Sequence, residues 1–147
     1  MANKQLYDQD LYAWALENAE LMRQGRFDEV DVQHIVEELE ALGASEKREL
    51  SSRIEVLLMH LLKWEYQPSH QGRSWRLTIG NQRLDIERLL DDNPSLKSKL
   101  SEVLDKSYLR AAKKAHLETD LPISVFPKKC PYTLEQVLND EFWPKPH

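Results

Sequence analysis

The sequence predicts an all-α fold: a single-domain helical bundle of about five helices, followed by a short C-terminal helix and a proline-rich tail. Three observations carry this expectation. Apolar residues recur at intervals of three and four through most of residues 1–120, no segment alternates apolar and polar residues as a strand does, and Asp, Ser, Asn, Gly and Pro stand at the segment boundaries. The 147 residues suffice for one domain with its own core, since a chain of this length buries roughly 68–70% of the surface it exposes when unfolded. At 41% apolar residues it is too hydrophobic to read as a disordered chain. Residues 1–120 form the expected bundle, and residues 121–147 a tail laid over it as part of the same domain.

Asp8 precedes Leu11, Trp14, Ala15, Leu21 and Met22 at helical spacing, and Gly25 lies just beyond Arg23, so the first helix has a start and a stop. A second begins at Asp31, with Val32, Ile35, Val36, Leu39 and Leu42 on one face and an end near Gly43. Ser45 caps a third. Its residues 54–64 are apolar almost all round, which marks the central, buried element. Pro68, Ser69 and Gly72 turn the chain, and Ser74 caps a fourth helix that buries Trp75, Ile79, Ile86, Leu89 and Leu90. Asn93 caps the fifth with Pro94 in its first turn, and Leu96, Leu100, Val103, Leu104, Tyr108, Ala111 and Ala115 supply its packing stripe. From Leu121 onward five prolines interrupt the chain, and only Thr133 to Asn139 reads as helical, with Thr133 and Gln136 at capping-box spacing.

Charge is unevenly spread. Residues 1–46 hold 11 acids and 3 bases, residues 47–90 hold 5 and 8, and residues 91–147 hold 9 and 9. The acidic first third and the basic middle can therefore complement one another through neighbouring helices or serve two partners. Helical-wheel placement puts Asn18, His60 and Gln82 inside or beside apolar faces, and Arg83 roughly 60° from the centre of its own stripe. Neither Gln82 nor Arg83 can be buried without acceptors. Glu38 and Glu40 flank the apolar face of the second helix, while Glu37 points to solvent. The expectation is a polar cluster of Glu38 or Glu40 with His60, Gln82 and Arg83, between the second, third and fourth helices. It either fixes helix register or forms a ligand or catalytic site, with His60 and a glutamate as acid and base and Arg83 holding an anion.

Other chemistry finds little support. His34, Glu37 and Glu38 are spaced like ligands on a helix, but the repeated Glu-x-x-His of di-iron bundles is absent and His34 lies about 140° from its helix's apolar centre, facing water. No metal and no cofactor is expected. Ser45, Ser51, Ser52 and Ser69 lack a nucleophile elbow, and no P-loop, dinucleotide fingerprint or kinase signature occurs. Cys130 beside Lys128 and Lys129 reads as a structural tail contact before a reactive thiol. Arg73, Arg76 and Arg83 near Trp75 suggest phosphate contact and base stacking, but Trp75 shares a face with Ile79 and Ile86 and is assigned to the core. Polar faces of mixed sign and the absence of a long apolar run argue against membrane association.

With these residues in view, the chain resembles the bacterial domain-of-unknown-function family 29, small helical proteins of cyanobacteria and proteobacteria. The resemblance rests on Tyr7-Asp8-Gln9-Asp10-Leu11-Tyr12-Ala13-Trp14, Leu21 to Phe27, Glu37-Glu38-Leu39-Glu40-Ala41-Leu42-Gly43 and His60 to Pro68. It continues through Ser74-Trp75-Arg76, Gln82-Arg83, Asn93-Pro94-Ser95-Leu96 and Cys130 to Gln136. It implies an all-helical fold and supplies no catalytic assignment.

The functional expectation is a cytoplasmic protein-binding or regulatory module without catalysis, whose contact surfaces are the aromatic tail and the acidic second helix. A protein partner is expected, and both a monomer and a homo-oligomer are consistent with the sequence. The alternatives are a small enzyme or ligand-binding domain built on the Glu/His/Arg cluster, and a weak nucleic-acid binder.

Overall fold

Asp10 divides the N-terminal helical stretch in two. In the computed structural model, which describes residues 2–147 and their side chains from residue 5 on, α1 spans Ala2–Gln9 and α2 spans Leu11–Arg23. Asp10 accepts a hydrogen bond from the Ala13 N–H at 3.0 Å, so Asp10 rather than Asp8 caps α2. Gly25 ends α2 at a φ of +75°, where a side chain would be strained. The Gly25 N–H donates to Met22 and the Arg26 N–H to Leu21, which satisfies the last carbonyls of the helix.

The expected second and third helices are a single helix, α3, Val32–Tyr66. Gly43 does not stop it. A glycine terminates a helix by taking a left-handed conformation, and Gly43 does not take one; a Cβ there would meet nothing within 4 Å. Ser45 therefore lies inside the helix and caps nothing. A 3-10 turn at Pro68–His70 leads to α4, Arg73–Asp92, whose N-cap is Gly72 and not Ser74. Pro94–Lys99 forms another 3-10 segment where the fifth helix was expected to begin, and α5 follows over Leu100–Thr119. Asp120 ends α5 in the left-handed region at φ 61°. The last helix, α6, Leu134–Leu138, carries the capping box read from Thr133 and Gln136. No strand occurs among the described residues.

Two compact units make up the chain, residues 1–45 and 46–147. The second holds an aliphatic core: Leu50, Ile54, Leu57, Leu58, Leu61 and Leu62 of α3 are fully buried, as are Ile79 and Ile86 of α4 and Ala111 and Ala115 of α5. Each such Leu or Ile contributes about 1.5–3 kcal/mol by leaving water, so this segment of α3 is the central element its composition implied. The proline-rich segment from residue 121 belongs to this unit. Its Phe126, Tyr132 and Val137 are buried in the same core. The first unit is built differently, around Trp14, Asn18 and Asp31.

Candidate functional site

Arg83 is the most demanding of the residues singled out by sequence. It is 3% exposed, and its guanidinium meets backbone carbonyls where a glutamate was expected. Nε donates to Val137 O at 2.9 Å, and Nη2 to Phe142 O at 2.9 Å and Gln136 O at 3.3 Å. Those of Gln136 and Val137 lie at the end of α6, where the Gln136 carbonyl also accepts from the Asn139 N–H at 3.3 Å and the cation supplies the donor for Val137 in the manner of a C-terminal cap. Burial pushes the Arg83 pKa down, against the pull of Asp140.

Of the other four predicted residues, three have separate partners. Gln82 accepts from Arg53 Nη1 at 3.3 Å, and that guanidinium also pairs with Asp85 at 3.0 Å. His60 Nδ1 donates to Val56 O at 2.8 Å within α3. Burial is the main reason its pKa is lowered, with Lys63 acting in the same direction. Glu38 accepts from the Tyr7 hydroxyl, and Glu40 is exposed. Glu38 and Glu40 thus belong to the first unit and His60, Gln82 and Arg83 to the second, and the bonded ones find their partners within their own unit. The expectation of a cluster rested on separate second and third helices, and Glu38 and His60 instead share the one continuous helix α3.

A different polar assembly occupies the first unit. The Trp14 indole N–H donates to Asp31 Oδ2 at 3.0 Å, Asn18 accepts from the Asp31 N–H at 2.8 Å, and the Asn18 amide donates to Trp14 O at 2.8 Å. His34 Nδ1 lies 2.6 Å from the same Asp31 Oδ2. Burial pushes the Asp31 carboxyl up, but the hydrogen bonds from His34 and Trp14 outweigh it and hold its pKa below the ordinary value. An ionised carboxylate only accepts, so His34 donates through Nδ1. The imidazole stacks on Tyr7 with centroids 3.9 Å apart and planes 13° from parallel, and Tyr7 meets Trp14 edge-on at 4.9 Å. Bonded to Glu38, the Tyr7 phenol has its pKa pushed up to about 12. His34, expected to face water, is instead part of the packing. Sequence reasoning found Asn18 but read Asp31 only as a helix start; the signal it lacked was that the polar side of α3 faces inward here.

That inversion leaves the apolar side outward. Val32, Val36, Leu39 and Leu42 are all exposed, Leu39 at 63% and Leu42 at 61%. They fall within an arc of about 120° on α3. Residues 39–45 are exposed throughout. Leu11, Tyr12, Leu16, Met22 and Phe27 are exposed too, so among the described residues nine of the fifteen exposed large hydrophobic ones lie in the first unit. The same unit carries 10 acids and 3 bases. By contrast, the aromatic anchors of the tail are used internally: Phe126 and Tyr132 are buried, and Phe142 and Trp143 pack against the core. Trp143 lies 4.7 Å from Trp64, centroid to centroid.

The remaining candidates are structural. Cys130 is half-buried and its thiol donates to Tyr132 O at 3.4 Å; burial pushes its pKa up, away from the reactive thiolate. Trp75 is half-buried, with Lys63 Nζ 4.9 Å from its ring centroid while Lys63 pairs with Glu118 at 2.9 Å. No cluster of three or more His, Cys, Asp or Glu suited to a metal occurs among the described residues, and no helix among them is long and apolar enough to cross a membrane.

With this geometry in place, comparison with known families matches the chain to the domain of unknown function DUF29 over residues 6–143. The chain belongs to the DUF29 family. The DUF29 span takes in the Tyr7–Trp14–Asp31–His34 assembly, the exposed stripe of α3 and the Arg83 clamp. No curated protein and no solved structure matches this DUF29 chain.

Proposed function

We propose that this DUF29 protein is a helical protein-binding module that docks a basic amphipathic helix of a partner protein on the exposed apolar stripe of α3. The observation that carries the reading is the row Val32, Val36, Leu39 and Leu42, left in water at the spacing of helix anchors. An apolar surface of this kind, rimmed by polar groups, is the usual mark of an interaction site. The occupant's chemistry follows from the setting. Glu40 borders the stripe and the unit carries a large excess of acids, so Lys or Arg beside the partner's apolar ridge would be attracted and an acidic helix repelled. The Asp31–His34–Trp14 assembly supports the same reading, since it holds the start of α3 rigid and lowers the ordering cost of binding. A lone cysteine without a disulfide suits a reducing compartment, and the module is assigned to the cytoplasm.

Fluorescence anisotropy with a labelled amphipathic Leu/Lys helical peptide tests the proposal. The Lys-flanked peptide is expected to bind, a Glu-flanked version to fail, and added salt to weaken the complex. Leu39→Glu combined with Leu42→Glu should lower the affinity by roughly tenfold or more while leaving helicity unchanged. Equal binding of both peptides, or an unchanged affinity in the double variant, would overturn the assignment.

A further inference from the structure

The second unit carries a cleft of about 370 Å³ between α5 and the segment that follows it. Leu109, Ala112, Ile123 and Phe126 form its walls and floor, and Lys113 and Lys128 stand on it. Small-molecule sites generally occupy roughly 300–1,000 Å³ and combine apolar walls with a few charged or polar groups. Three features make this cleft a site of that kind. Ala112 is nearly buried, and its short side chain leaves open the space a larger residue would fill. Leu109 and Ile123 are 58% and 48% exposed, so the apolar walls are open to water. Lys113 and Lys128 make no hydrogen bond or ion pair among the described residues. Tyr108, which also borders the cleft, donates its hydroxyl to Pro127 O at 2.6 Å, and this bond fixes the wall.

From this juxtaposition we infer that the cleft binds a small amphiphilic carboxylate: an aliphatic or aromatic body lies on Ala112 and Phe126 between Leu109 and Ile123, and the carboxylate is held by the ammonium groups of Lys113 and Lys128. A neutral apolar molecule would leave both lysines unpaired, and a cationic one would be repelled by them. The Lys stems can cover the apolar body while their heads remain at the water boundary, so the ligand's polar end stays solvated. The site lies wholly in residues 46–147 and does not depend on the stripe of α3.

Calorimetric titration of the protein with decanoate and decyltrimethylammonium below their micellar concentrations, and with decanol below its solubility limit, tests the inference. Decanoate is expected to bind at one site per chain, decanol roughly tenfold more weakly, and the cation not at all. Lys113→Gln with Lys128→Gln should abolish the preference for decanoate over decanol; both lysines are exposed, so this variant folds regardless of the ligand. Ala112→Phe should fill the cleft and remove binding of decanoate and decanol together. The inference is overturned if decanoate gives no binding heat, if decanol binds as tightly, or if the double lysine variant retains the preference. Sedimentation with phosphatidylglycerol vesicles in the absence of any decanoate binding would also overturn it, by assigning the lysines to a lipid surface.

Discussion

Arg83 shows how a single buried cation can be stabilised without a carboxylate. Its position on the inward face of α4 is legible in the spacing of Ile79, Ile86 and Leu89, but its acceptors are not, because the carbonyls of Gln136, Val137 and Phe142 come from a segment with no periodic pattern. Truncation removes the side-chain donor of the Val137 and Phe142 carbonyls and empties a buried position, and Arg83→Ala is expected to cost about 3–5 kcal/mol in urea denaturation. A loss below about 0.5 kcal/mol, the range of surface substitutions, would refute the clamp. Acid titration adds a second residue-level prediction. Asp31 and His60 both have lowered pKa values in the folded state, so each favours the deprotonated form on folding. Their contributions are complete above the unfolded values and lost as pH falls through the folded ones. Stability is therefore expected to decline first as pH drops below 6.5 through His60 and again below 3.8 through Asp31. Urea midpoints measured against pH should show that His60→Gln flattens the first decline and Asp31→Asn the second; a variant with the wild-type profile would remove that residue from the account.

At the scale of the element, α3 teaches most about what a sequence conceals. Its two halves each display an apolar stripe, and the wheel treats them alike. In residues 54–62 the stripe is buried, while in residues 32–42 it faces water and the polar side with His34 and Glu38 packs inward. Periodicity identifies which residues share a face and is silent on what covers that face. The same holds for Gly43 and Ser45, which look like a stop and a start but lie within an unbroken helix. Gly43→Ala should therefore stabilise the protein by roughly 0.5–1 kcal/mol, as an interior helix glycine does when its Cβ has room. Gly25→Ala should do the opposite, because its backbone sits at φ +75°. Thermal melts of the two variants should move in opposite directions, and a shared direction would contradict this description of α3 and the end of α2.

For the molecule as a whole, the all-helical class and the family were both readable, since capping residues and long periodic stretches survive in the sequence whatever their partners. The division at Ser45 was not, because it lies within a continuous helix without a proline or glycine cluster, and the change from acidic to basic composition near residue 46 marks a shift in charge rather than a boundary of packing. The proposed cluster of Glu38, Glu40, His60, Gln82 and Arg83 was drawn from angles on separate wheels, which hold no information on which segments meet. The two units also differ in what stabilises them, one through a hydrogen-bonded aromatic and carboxylate assembly and the other through aliphatic burial. Hydrogen exchange should reflect this: amides of residues 54–62 and 79–90 are expected to be the slowest, and those of 39–45, exposed throughout, orders of magnitude faster. Uniform protection along α3 would argue that the stripe is already covered in solution.

The clamp on Arg83 also has a temporal consequence. Its acceptors lie 53 to 59 residues further along the chain, so a ribosome adding about 5–20 residues per second delivers them several seconds after the guanidinium. Throughout that interval α4 carries a charge that belongs in the interior with nothing yet made to receive it. The growing polypeptide must keep this helix wet, or shielded by a chaperone, until Phe142 has emerged.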